Sequence, residues 1–209
     1  MSDAPPELPE PPASPEPPES PPVSPDLPWA GQRVVVAVTG GIAGYKSASL
    51  VSRLVQQGAV VRVIMTEAAT QFVGPLTFQS LTGQTVLTST WQADEHPESQ
   101  HVGLARWCNL FIIAPCTANT LAKLAHGLCD DVVALTAAAL PHTTARLIAP
   151  AMNADMWANP VIQGNLAIVT DTLGYHQVGP EEGWQACRTR GLGRMSEPES
   201  ILAAAAKLR

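Results

Sequence analysis

The stretch RVVVAVTGGIAGYK, residues 33–46, decides the fold of this chain. Residues 33–39 are almost entirely apolar and β-branched, which predicts a buried strand. Gly40 and Gly41 follow at once, and a helical pattern then runs through Gln57. A strand that enters a helix through a glycine turn is typical of a parallel β-α-β unit, whose turn lies at the carboxyl end of the strand.

The same alternation continues along the chain. Apolar runs predict further strands over 59–65, 110–114 and 146–149. Helical patterns lie between them, and their continuous apolar strands indicate a parallel sheet covered on both faces. The predicted helices are 68–81 (broken at Gly74-Pro75), 102–107, 117–126, 130–140, 160–173 with a short strand near Ile168, and 198–208. Residues 183–195 are rich in glycine and are predicted to be irregular.

The first 28 residues differ from the rest of the chain. They hold 12 of the 20 prolines, six acids and no Lys or Arg. Such a segment cannot bury enough apolar surface to fold, so we expect a disordered, partly polyproline tail over 1–28 and a single domain over 29–209. Without the tail, twelve acids face twelve Lys and Arg. A near-neutral domain argues against a nucleic-acid partner.

Composition excludes several further classes. No stretch reaches the roughly 18 apolar residues of a membrane span, and the N-terminus has no basic and apolar signal segment. The four cysteines lie far apart without a CxxC pair, which argues against a structural zinc site and against a disulfide-stapled fold. We therefore expect a cytoplasmic protein with reduced thiols, no metal and no membrane partner.

The glycine turn is the first candidate site. Glycines at a strand-to-helix turn let backbone N–H groups approach a phosphate. The spacing is neither GxGxxG nor a P-loop, and the second strand ends in Met65-Thr66 rather than in an acid for a ribose hydroxyl. A mononucleotide phosphate such as that of FMN fits better than NAD, although a tight turn without a ligand remains the alternative.

Two more polar helix starts follow strands. APCTANT, residues 114–120, places Thr117 and Asn119 after the third strand, and PAMNADMW, residues 150–157, places Asn153 after the fourth. Each residue could be only a helix cap. Because the carboxyl ends of parallel strands share one edge, however, three such loops would meet in one site.

His101 and Cys187 are the candidates for acid–base chemistry. His101 begins a helical stretch, where a lone histidine is often a surface or cap residue. Cys187 lies among Arg188, Arg190 and Arg194, which would favour a thiolate or an anionic ligand, whereas a buried structural cysteine is the alternative.

Together these segments resemble the flavin-dependent cysteine decarboxylases, and most closely the phosphopantothenoylcysteine decarboxylase branch of coenzyme A biosynthesis. The resemblance runs from about Arg33 to the C-terminus and rests on order and spacing. The matching pieces are TGGIAGYK (39–46), His101 in HVGLARW, APCTANTLAKLAHGLCDD (114–131), PAMNADMW (150–157) and ACRTRGLGRM (186–195).

The resemblance implies an α/β, Rossmann-like (flavodoxin-like) three-layer sandwich that binds FMN. It implies active sites at the subunit interfaces of a homo-oligomer, either a trimer or a dodecamer built from trimers. His101 and Cys187 would be catalytic, with Cys187 as proton donor and Asn153 on the substrate carboxylate. By the same resemblance FMN would contact Gly40, Gly41, Ile42, Thr66, Thr117, Ala118 and Asn119, and the substrate would contact Asn153, Met156, Ala186 and Arg194.

The reaction implied is the decarboxylation of 4'-phosphopantothenoylcysteine to 4'-phosphopantetheine. FMN oxidises the cysteine side chain, CO₂ is lost to give an ene-thiol, and a hydride and a proton complete the product. Many bacterial relatives carry a fused synthetase. This chain ends at Arg209, so a synthetase partner is expected to be a separate protein.

One departure and three alternatives stand beside this interpretation. The family usually has glycine directly after the cysteine, where this chain has Arg188. An oxidative decarboxylase of peptidyl C-terminal cysteine would stop at the ene-thiol and need no Cys187. A flavin prenyltransferase of related fold would lack the PAMN segment together with the cysteine flap. A flavin-binding regulatory subunit would not need His101, Asn153 and Cys187 together.

Overall fold

A computed structural model describes residues 26–91 and 100–209. The predicted tail over 1–28 lies outside these ranges except for 26–28, which form part of a turn. Five strands form the main sheet: β1 (Arg33–Val38), β2 (Val60–Met65), β3 (Leu110–Cys116), β4 (Ala145–Pro150) and β5 (His176–Gln177). Two more form a small sheet: β6 (Glu181–Trp184) and β7 (Arg190–Arg194). The α-helices are α1 (Gly44–Gln56), α2 (Glu67–Thr70), α3 (Pro75–Thr82), α4 (Gln100–Trp107), α5 (Ala118–His126), α6 (Val132–Ala138), α7 (Ala154–Ala158), α8 (Pro160–Ala167) and α9 (Pro198–Ala205).

The main sheet is parallel throughout and has the order β2-β1-β3-β4-β5. This is the flavodoxin-like order, in which the chain reverses direction across the sheet between β1 and β3. A crevice for a ligand opens at the carboxyl ends of these two strands. The α/β, Rossmann-like prediction is confirmed.

Each face of the main sheet has its own apolar core, because side chains alternate along a strand. Val34, Val36 and Val38 pack with α1, α3 and α9 on one face. Val35 and Ala37 pack with α4, α5 and α6 on the other. Helices on both faces make the three-layer sandwich that the continuous apolar strands predicted.

Two local predictions were wrong. No strand forms near Ile168, since Ile168–Thr172 is a π-helical turn that continues α8; the fifth strand lies further along, in β5. Residues 183–195 are not irregular, because β6 and β7 pair as an antiparallel hairpin. The glycines of the hairpin hid its strand pattern in the sequence. Two of them are needed for close packing, Gly191 against Ala154 and Gly193 against Met152.

Candidate active site

A cavity of about 1010 Å³ lies at the carboxyl edge of the main sheet. It is bounded by the loops after β1, β2, β3 and β4 and is covered on one side by the β6–β7 hairpin. The sequence-predicted residues that line it are Gly40, Gly41, Ile42, Thr66, Thr117, Ala118, Asn119, Asn153, Met156, Ala186, Cys187 and Arg194. The fold therefore brings twelve of the thirteen predicted site residues to one place.

The glycine turn after β1 packs directly on α2. A Cβ on Gly40 would lie 2.4 Å from the Cβ of Ala68, so any side chain there would push the two segments apart. Within the described residues, the N–H groups of Ile42 and Ala43 donate to no protein acceptor. The turn thus presents free donors to the cavity, as an anion-binding loop does.

Threonines hold the loops after β1, β2 and β3. Thr39 Oγ1 donates to the carbonyl of Pro115 at 2.7 Å and accepts from the N–H of Thr117 at 3.2 Å, which ties the ends of β1 and β3 together. Thr117 caps α5 and Thr66 caps α2, each through its hydroxyl oxygen. The first N–H groups of α5, at Ala118 and Asn119, remain at the cavity without intrahelical acceptors.

Asn153 has a structural role as well as a place in the cavity. Its Oδ1 accepts from the N–H of Met156 at 2.8 Å, so it is the N-cap of α7, as the simpler interpretation of the sequence predicted. Its Nδ2 group donates to no protein acceptor within the described residues. The cap thus fixes the side chain and leaves two donors for a ligand.

The hairpin carries Cys187 at its tip. The N–H of Gln185 donates to Thr189 O and that of Arg188 to Gln185 O, both at 2.9 Å, which closes a three-residue loop over 186–188. The third residue of such a loop takes the left-handed conformation and is usually glycine. Here Arg188 occupies it with φ 64°. The glycine expected after the cysteine thus has a conformational reason, and Arg188 keeps the same turn.

The surroundings of Cys187 differ from the arginine cluster that the sequence suggested. The side chain is exposed at the cavity, and its Sγ lies 3.6 Å from Gln185 Oε1 and 2.9 Å from Thr189 Oγ1. Arg194 forms an ion pair with Glu197 instead. Cys187 is therefore not a buried structural cysteine, and its sulfur is held by neutral polar groups.

Lys46 is a cavity residue that sequence reasoning missed. It is 7% exposed, and its Nζ donates to Met195 O and to Glu197 Oε1, each at 3.0 Å. Burial, and then the charge of nearby Arg194, lowers the pKa of the Lys46 ammonium below its ordinary value. Lys46 joins α1 to the end of the hairpin. Lys46 lies in the first turn of α1. A lysine at such a position gives no signal in the sequence that it will be buried.

Gln185 and Lys123 were also missed. Gln185 is buried and hydrogen-bonded to three segments of the site. Lys123 lines the cavity and forms ion pairs with Asp130 at 2.8 Å and Asp131 at 2.7 Å. The main partner of Gln185 is Ala154, which is distant in the sequence, and the partners of Lys123 lie just after the end of α5. Only the fold shows that Gln185 and Lys123 belong to the site.

His101 is the predicted site residue that the structure does not bring to this cavity. It lies partly exposed on α4, which packs against α6 on the opposite face of the sheet from α1. His101 therefore does not line the cavity that holds Asn153 and Cys187.

Among the described residues, no group of histidine, cysteine or acidic side chains could hold a metal ion. In the same ranges, every helix is too short or too polar to cross a membrane.

Comparison with known proteins identifies the family to which the chain belongs. The family model described as Flavoprotein matches residues 25–209. The chain is 44% identical over 176 residues to the coenzyme A biosynthesis bifunctional protein CoaBC of Bacillus subtilis, covering 84% of this chain and 43% of that protein. It is 39% identical over 171 residues to a probable phosphopantothenoylcysteine decarboxylase of Streptococcus mutans, covering 82% of this chain and 95% of that one.

Solved structures agree in fold. A variant of PPC decarboxylase complexed with pantothenoylaminoethenethiol superposes with a TM-score of 0.73 at 32% identity, covering 83% of this chain and 95% of that one. The FMN-binding protein AtHal3 gives a TM-score of 0.72 at 32% identity, covering 83% and 94%. The chain thus spans less than half of the bifunctional relative and nearly all of the Streptococcus mutans protein and of the two solved structures.

Proposed function

Since the chain belongs to the flavoprotein family, we propose that it is an FMN-dependent decarboxylase that converts 4'-phosphopantothenoylcysteine to 4'-phosphopantetheine in coenzyme A biosynthesis. The observation that carries the proposal is the cavity itself, where the glycine turn, the Thr117 loop, Asn153 and Cys187 meet. Relatives named for this decarboxylase at 39% and 32% identity support it.

The residues present fit FMN. The free N–H groups of the glycine turn and of the first turn of α5 suit a phosphate. In flavodoxin-like sheets, FMN binds at this switch point between β1 and β3. A volume of about 1010 Å³ reaches the upper end of the roughly 300–1,000 Å³ of pockets for ligands of this size. Gly40, Gly41, Ile42, Thr66, Thr117, Ala118 and Asn119 would hold the cofactor.

When bound, FMN supplies the oxidation of the substrate thiol and the later return of a hydride. The chain's own groups would orient the substrate and move the proton. The amide N–H groups of Asn153 would bind the substrate carboxylate, beside Met156 and Ala186, and the Arg194 guanidinium, which lines the cavity, would attract an anionic substrate. The Cys187 thiol, exposed at the cavity, would donate the final proton.

A homo-oligomer, a trimer or an assembly of trimers, would complete the site. His101 lies away from the cavity of its own subunit, so it can act only if a second copy presents it. A closed, head-to-tail assembly places one surface of each copy on a different surface of the next. We therefore assign His101 to the cavity of a neighbouring subunit.

The proposed reaction implies a cellular location and a source for the substrate. We place the protein in the cytoplasm, in keeping with four free cysteines, two of them buried. A phosphopantothenoylcysteine synthetase would supply the substrate, and the fused relatives named CoaBC support that partnership.

The second candidate is oxidative decarboxylation of a peptidyl C-terminal cysteine. The structure of the FMN-dependent cysteine decarboxylase SpaF superposes with a TM-score of 0.72 at 29% identity, covering 85% of this chain and 97% of that one. That reaction ends at the ene-thiol, so a thiol held at the cavity by the hairpin favours the first candidate.

The test is the spectrum of the purified protein and the mass of its product. We expect a yellow protein that releases FMN on denaturation and forms CO₂ and phosphopantetheine from phosphopantothenoylcysteine. A colourless protein that FMN cannot reconstitute, or turnover of a cysteine-terminated peptide only, would overturn the proposal.

A further inference from the structure

Gln185 links the two halves of the site through one side chain. It is 7% exposed, at the end of β6, and its Oε1 accepts from the N–H of Ala154 at 3.1 Å. The same oxygen lies 3.6 Å from Cys187 Sγ, within reach of the thiol hydrogen. Its Nε2 donates to Gly191 O at 3.3 Å, which fixes the amide so that the oxygen faces Ala154 and Cys187. A buried amide with all of these partners is rigid.

The hairpin is docked on both sides of Asn153. Met152 N–H donates to Gly193 O at 2.9 Å on one side, and Ala154 N–H donates to Gln185 Oε1 on the other. A Cβ on Gly193 would lie 2.2 Å from Met152 O, so the two backbones touch. The position of the thiol relative to Asn153 therefore depends on this docking.

We infer that Gln185 is a positioning residue that holds the Cys187 thiol, hydrogen inward, at a fixed place beside Asn153. The inference rests on the proposed function, in which Cys187 supplies the last proton. In that step the S–H bond of Cys187 breaks and a C–H bond forms, while the neighbouring carbon takes a hydride from the reduced cofactor, which is oxidised. The product gains two hydrogens over the ene-thiol.

The first readout is alkylation of Cys187 in the FMN-loaded full-length protein, followed by peptide mass spectrometry, with exposed Cys129 as internal reference. In Gln185→Leu the thiol loses the Gln185 oxygen as an acceptor. Because a hydrogen bond to the neutral form disfavours the reactive thiolate, alkylation should be about threefold faster. Gln185→Glu keeps an acceptor for Ala154 and the thiol but adds a negative charge, so alkylation should be about tenfold slower than in the wild type.

Two variants serve as matched controls. Thr189→Val removes the other neighbour of the sulfur, a hydroxyl that can donate to it, and should not accelerate alkylation. Gln56→Leu makes the same exchange on the exposed face of α1 and should leave the rate unchanged. FMN retention and the circular dichroism spectrum show that each variant is folded.

The second readout is the product. Gln185→Leu should keep the KM for phosphopantothenoylcysteine within about twofold, lower kcat about tenfold, and raise the share of unreduced ene-thiol. Gln185→Glu alkylating no slower than the wild type, with Gln185→Leu faster, would mean that Gln185 only fastens the hairpin to Ala154. Equal rates in all three proteins would mean that Gln185 does not contact the thiol. Either result overturns the inference. No turnover by the wild type would instead refute the proposed function, while the alkylation rates would still test Gln185.

Discussion

Asn153 caps α7 through Oδ1 and presents Nδ2 to the cavity, so one substitution can separate the two tasks. An aspartate also caps a helix. We predict that Asn153→Asp keeps the fold and FMN but loses turnover more than about a hundredfold, because close like charges at low effective dielectric cost several kcal/mol.

The measurement is CO₂ release together with the flavin absorbance of the purified variant. Asn153→Ala is the matched control, since it removes the cap and should cost about 1 kcal/mol of stability. Near-normal activity in Asn153→Asp would mean that the residue is only a cap.

The buried thiols give a second prediction at this scale. Burial raises the pKa of Cys116 to about 12 and that of Cys108 to about 11, from an ordinary value of 9.0. Because the folded pKa values are raised, the contribution of the buried neutral thiols to stability is complete below pH 9 and is lost as the pH rises through 11 and 12.

Denaturant unfolding across this pH range tests the prediction. Cys116→Ala should be less stable at neutral pH, because it leaves a small cavity, but should lose less stability above pH 9. Parallel pH profiles for the two proteins would contradict the assignment.

At the scale of elements, the hairpin tip is strained at Arg188. A left-handed conformation costs about 1–2 kcal/mol outside glycine, and Arg188 has φ 64°. We predict that Arg188→Gly stabilises the hairpin. The measurement is hydrogen exchange at the backbone amides of residues 185 and 188, which should become slower in the variant. Arg188→Ala removes the same side chain without relieving the backbone, and slower exchange in that variant too would show that the side chain, not φ, causes the strain.

Elements with strong periodicity were predictable from the sequence, and those fixed by distant contacts were not. The run of Val34–Val38 is apolar on both faces and predicts its own burial. The hairpin is different, because two glycines of its second strand are required by close contacts with Ala154 and Met152, which lie far away in the sequence. For the same reason the roles of Lys46 and Gln185 depend on partners far along the chain, at Glu197 and Ala154.

At the scale of the whole molecule, the position of His101 predicts complementation between subunits. His101→Asn and Asn153→Asp should each be inactive alone. After the two proteins are unfolded together, refolded and loaded with FMN, random 1:1 mixing in a closed head-to-tail assembly restores about a quarter of the interfaces. The measurement is CO₂ release by the refolded mixture. If the mixture is no more active than each variant alone, His101 does not act across an interface.

The central claim is that this cavity carries a cysteine-type substrate through decarboxylation and then through reduction. The most direct measurement is the mass of the product formed from phosphopantothenoylcysteine by the wild type and by Cys187→Ser, side by side. A hydroxyl is a far poorer acid than a thiol, so the account predicts phosphopantetheine from the wild type and the ene-thiol, lighter by two hydrogens, from the variant. Phosphopantetheine from both at equal rates, or the ene-thiol from both, would contradict it.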